Sequence, residues 1–90
     1  MIIPIHGLKY HHFEQPIIGD EVFLVKEKEN LYDSMAIAAY NKHNQKIGYI
    51  SKKSCYNEKV YNKMQAESIK ALVWSVAKNQ ILVEIDQFRH

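Results

Sequence analysis

The chain is poor in residues that settle a function by themselves. Its single cysteine, Cys55, can form neither an internal disulfide nor a Cys-x-x-Cys zinc site, so a reducing, cytoplasmic compartment is expected. No apolar run approaches the ~18 residues of a membrane-spanning helix, and no membrane partner is expected. With only Gly7, Gly19 and Gly48, there is no glycine-rich loop to cradle a phosphate. Arg89 is the only arginine among twelve cations, which leaves little for bidentate reading of guanine in a duplex groove; lysine suits phosphate as a point charge. Those twelve cations stand against ten acids, and a net charge of +2 is too weak to argue for nucleic acid. Any such argument must rest on placement.

What is present points to one small domain. Ninety residues, 47% apolar and 24% charged, suffice for a single globular unit over residues 1–90 with a modest core. Met1-Ile2-Ile3-Pro4 lacks the basic and long apolar regions of a secretory signal and reads as the start of a first strand reaching Tyr10. After a polar turn from His11 to Gln15 and Pro16, Val22 to Lys26 forms a central strand, apolar on both faces. Ala36 to Tyr40 and Lys46 to Ile50 form a hairpin, reversed by Asn41-Lys42-His43-Asn44. Ser51 or Ser54 caps a helix running to about Ala66, with Tyr56, Val60 and Met64 in one stripe. Leu72, Trp74 and Val76 then alternate along a strand whose partner carries Ile81, Val83 and Ile85. Five or six short strands and one helix in so short a chain predict a mainly β fold, a small, partly open barrel of OB or SH3 type.

Catalytic chemistry finds little footing. Cys55 has no activating neighbours in sequence and serves as a small core residue. His6, His11, His12 and Asp33 lack a recognisable ligand spacing, and adjacent histidines on a strand point to opposite faces. No metal, cofactor or small-molecule substrate is expected, and no enzyme activity. Three clusters do combine rings with cations or polar groups: Lys9-Tyr10-His11, Asn30-Leu31-Tyr32-Asp33, and Tyr49 with Lys52. Single-strand binders use this composition, stacking bases on aromatic rings at about 1–3 kcal/mol each. The same residues also fit a plainer description, with Tyr10, Tyr32 and Tyr49 at the rim or in the core and Asn30 and Asp33 bonding their own turn. Trp74, sharing a face with Leu72 and Val76, is expected in the core.

The string Gly7-Leu8-Lys9-Tyr10, Gly19-Asp20-Glu21-Val22, Glu27, Asn30-Leu31-Tyr32-Asp33, Ala36-Ile37, Tyr40-Asn41 and Ile47-Gly48-Tyr49-Ile50 resembles the HIRAN domain family. The resemblance covers about the first two thirds of the chain, in the family's order. It implies an OB-like barrel of the kind found in fork-remodelling DNA translocases and as stand-alone bacterial proteins. It also implies a non-catalytic module that grips a single-stranded DNA end by its free 3′-hydroxyl, with a DNA-processing enzyme as a further partner. Carried over by position, Lys9 and Lys52 become phosphate contacts, Tyr10 and Tyr32 stacking or wall residues, and Asn30 and Asp33 partners of the terminal nucleotide. His11 and Tyr49 complete the set. Lys9-Tyr10-His11 replaces the family's arginine and two tyrosines, Tyr49 stands at its histidine position, and Leu31 at its proline. A peptide-binding module on the same barrel is the alternative.

Overall fold

The computed structural model describes residues 1–8, 12–50, 56–64 and 66–85. Within them run β1 (Ile2–His6), β2 (Glu21–Lys26), β3 (Ile37–Tyr40), β4 (Lys46–Ile50), α1 (Tyr56–Lys63), β5 (Ser68–Ala77) and β6 (Gln80–Glu84). Every neighbouring pair is antiparallel, in the order β1-β4-β3-β2-β5-β6, and β6 returns to β1 through four residue pairs from Ile2↔Glu84 to Ile5↔Ile81. The barrel expected from the strand pattern is the fold, and it closes completely instead of staying partly open.

Side-chain alternation explains the closure. Ile3 and Ile5, Val22 and Leu24, Ile37 and Ala39, Ala71 and Val73, and Ile81 and Val83 occupy every second position of their strands, each 2% exposed or less. With Ile47 they fill the interior with branched and small side chains. Val60 of α1 and Met64, one residue past its end, join the same cluster.

Several expectations shift. β1 ends at His6, because Gly7 takes a left-handed φ of 82° that carries the chain out of the strand. β2 is apolar on one face in the strict sense, with Val22 and Leu24 buried and Phe23 facing outward. The helix is shorter than its apolar stripe, Tyr56–Lys63, and its expected caps Ser51 and Ser54, like Cys55, lie outside the described residues. Trp74 is not core. The β5–β6 register slips between Val73↔Val83 and Ser75↔Leu82, leaving Trp74 as the extra residue of a bulge, 51% exposed. The inward places on β5 go to Ala71 and Val73, opposite Val22 and Val83, where a filled interior has no room for an indole.

The β3–β4 hairpin forms where the turn residues predict it, organised by one buried side chain. Asn41 Oδ1 accepts the backbone N–H groups of His43 (3.0 Å) and Gln45 (2.9 Å), while its Nδ2 donates to the Glu14 carbonyl and to Gln45 Oε1. Asn44 takes the left-handed conformation that asparagine tolerates. A His43–Glu14 pair at 2.7 Å and the Glu14 N–H on Gln45 Oε1 then tie the segment after β1 to this hairpin.

Candidate functional site

The connection between β2 and β3 is a compact loop built on its own polar side chains. The Glu27 N–H bonds the Ala36 carbonyl at its base, the Asn30 N–H bonds the Glu27 carbonyl, and the Ala36 N–H bonds the Asp33 carbonyl. Asn30 Oδ1 accepts the N–H groups of Tyr32 (2.8 Å) and Asp33 (2.9 Å), an Asx turn that leaves Leu31 and Tyr32 at the tip, 94% and 91% exposed. A large ring on a pinned backbone is thereby presented to solvent.

Asp33 is half-buried behind that tip. Its Oδ1 accepts the Met35 N–H at 2.9 Å, and its Oδ2 accepts Nδ2 of Asn57, a buried residue of α1, at 3.2 Å. An ionised carboxylate offers about four lone-pair positions. Two are used among the described residues, so the oxygens retain capacity for another donor.

Glu27 joins the loop to the sheet. Its carboxylate accepts Asn30 Nδ2 (2.9 Å), Lys46 Nζ (2.9 Å) and the Tyr49 hydroxyl (3.0 Å), and that hydroxyl in turn accepts from Lys46 at 3.0 Å. Lys46 Nζ also lies 5.0 Å from the centre of the Tyr49 ring. Burial pushes the Glu27 carboxyl up, but the hydrogen bonds from Lys46, Asn30 and Tyr49 outweigh it and hold the group below its ordinary 4.5. The hydrogen bond to Tyr49, followed by that to Glu27, raises Lys46 above the usual lysine range. Because the folded-state value of Glu27 is depressed, its stabilising contribution is present above pH 4.5 and fades as the pH falls through that lowered value. Glu27→Gln should cost about 1 kcal/mol at pH 7, and urea melts should show the difference from wild type shrinking at pH 3.

Three expected residues, Asn30, Asp33 and Tyr49, are thus gathered through Glu27 and the loop backbone, with Tyr32 projecting from the same turn. Lys9, Tyr10, His11 and Lys52 lie outside the described residues. Glu27, Lys46 and Asn57 were not singled out as site residues by sequence. Glu27 stood in the family-like string, but its partners are 19 and 22 residues away, and nothing local announced them. Among the described residues no three His, Cys, Asp or Glu side chains are grouped to hold a metal ion. Nor is any helix among them long and apolar enough to cross a membrane.

A family model described as the HIRAN domain matches residues 1–86. The chain superposes on the crystal structure of a Lactobacillus plantarum protein with a TM-score of 0.69 and 19% identity, covering 91% of this chain and 85% of the other. It superposes on the crystal structure of the HIRAN domain of human HLTF with a TM-score of 0.67 and 20% identity, covering 93% and 75% respectively. No curated protein matches.

Proposed function

The chain belongs to the HIRAN domain family, a family of DNA-binding modules, and from that premise we propose that it binds single-stranded DNA ends through the free 3′-hydroxyl, without catalysis of its own. The observation that carries the reading is the pinned loop: an exposed Tyr32 ring on an Asx turn, one residue from a carboxylate whose oxygens are already oriented. A carboxylate is an unusual element in a DNA site, because it repels phosphate. It fits a strand terminus, where a hydroxyl donates to it.

In this reading Tyr32 and Tyr10 flank the terminal base, Asn30 shapes the turn, and Asp33 accepts from the 3′-hydroxyl. Tyr49 and His11 border the pocket, and Lys9 and Lys52 hold phosphates. A DNA-processing enzyme supplies the chemistry, and this domain supplies placement at the end of a strand.

Fluorescence anisotropy with paired oligo-deoxythymidines, one ending in a 3′-hydroxyl and one in a 3′-phosphate, tests it. Low salt is required, because a few lysine–phosphate contacts weaken as salt rises, with a slope of about −0.7 per contact on a log–log scale. The hydroxyl form should bind at least about tenfold more tightly, the equivalent of 1.4 kcal/mol. Equal affinities overturn the end reading, and absence of binding to either oligonucleotide favours a peptide ligand.

A further inference from the structure

A single row of side chains crosses the outer face of four adjacent strands. Lys70 on β5 pairs with Phe23 on β2, Phe23 with Tyr40 on β3, and Tyr40 with Lys46 on β4. Directly opposed residues of antiparallel strands share a face, and this face is the outer one, since Val22, Leu24, Ala39 and Ala71 point inward. The row reads cation, ring, ring, cation. Phe23 is 37% exposed, and the Lys70 side chain 52%. Lys46 Nζ lies 5.9 Å from the centre of the Tyr40 ring and also bonds Glu27 and Tyr49, so the row runs without a break into the loop described above.

We infer that this row is a track for the single strand behind its terminal nucleotide, with Phe23 and Tyr40 as stacking platforms, Lys70 at one end for phosphate, and Lys46, held by Glu27, joining the other end to the loop. The inference rests on the proposed nucleic-acid reading and adds a second contact region to it. Four strands about 4.8 Å apart give the row a length of about 14 Å, enough for more than one nucleotide. Glu21, which pairs with Lys70 at 2.8 Å, is an acidic neighbour on this face, and Glu84 lies one strand further on, opposite Leu72. Both partners of the Glu21–Lys70 pair are about half exposed, and such pairs contribute little, so a phosphate displaces the carboxylate at small cost. Glu27, at the other end, is already neutralised by Lys46. The two rings suit nucleic acid because every base has a face to stack.

The test compares two-nucleotide and eight-nucleotide oligo-deoxythymidines, both with 3′-hydroxyls, on wild type, Phe23→Ala and Lys70→Gln. Wild type should hold the longer strand more tightly. Phe23→Ala should weaken that strand between about fivefold and a hundredfold, and leave the dinucleotide within about twofold of wild type. Lys70→Gln, at an exposed position, should lower the salt dependence of the longer strand alone. Circular dichroism establishes that the variants fold. Equal affinity for the two lengths in wild type, or variants that bind the longer strand as wild type does, overturns the track. A retained length dependence without preference for 3′-hydroxyl over 3′-phosphate supports the track and counts against the end reading alone.

Discussion

Asp33→Ala is expected to bind 3′-hydroxyl and 3′-phosphate oligonucleotides alike, and it should do so by losing affinity for the first and gaining it for the second. The gain is the more telling half. Two unit charges about 4 Å apart repel by about 1 kcal/mol in water and about 4 kcal/mol near a protein surface, so removing the carboxylate lifts a penalty of about fivefold to nearly a thousandfold from the phosphate. Alanine also frees the Met35 N–H and the Asn57 amide from their shared acceptor, and the loop loses a fastening. Asp33→Asn separates the two effects. Its side-chain oxygen still accepts the Met35 N–H, so the charge is removed while the loop keeps that fastening and loses only the bond from Asn57 Nδ2. If electrostatics set the discrimination, Asp33→Asn should narrow the preference almost as far as alanine does while losing less thermal stability than alanine. Discrimination undiminished in that variant would show that shape, not charge, excludes the phosphate.

Gly48→Ala should destabilise this barrel severely for a single added methyl. A Cβ on Gly48 would run into the backbone carbonyl oxygen of His6, lie 2.9 Å from Ile5 Cγ2, and sit 3.2 Å from the His6 carbonyl carbon. Backbone atoms cannot swing away as a flexible side chain can. β1 must therefore move off β4, and these strands are joined by only two residue pairs, Ile5↔Ile50 and His6↔Tyr49. A cost of at least about 3 kcal/mol is expected, out of the about 5–13 kcal/mol usual for a chain of this length. In a melt followed by far-ultraviolet circular dichroism, Tm should fall by about 12–24 °C. A fall of less than about 4 °C would mean that the two strands can part at little cost. Tyr49 follows Gly48 directly and pairs with His6, so the same substitution should disturb the Glu27–Lys46–Tyr49 cluster even where the chain still folds.

The division between what the sequence reveals and what it hides follows the range of the interactions. The β3–β4 hairpin was legible because Asn41 to Asn44 carry their own turn chemistry, and their partners lie within four residues. The Asn30 turn was legible for the same reason: its bonds to Tyr32 and Asp33 span two and three residues. Trp74 was not. Strict alternation assigns a face only up to the first bulge, and the bulge in β5 is a matter of register against β6, which no local pattern records. The contacts of Asp33 with Asn57 and of Glu27 with Lys46 and Tyr49 likewise depend on how a helix and three strands are stacked. Of the candidate site, sequence exposed the residues that fold on themselves and concealed those that fasten them to the barrel.

The completed ring of strands restricts how anything can be recognised by it. Each described strand is paired with two neighbours over at least part of its length, so there is no wholly free edge strand for a guest to extend, whether a peptide or a second copy of the chain. Recognition falls to loop tips and outward side chains, which can change one at a time without unseating the interior. A cylinder of this kind separates the part that must stay constant from the part that is free to specialise.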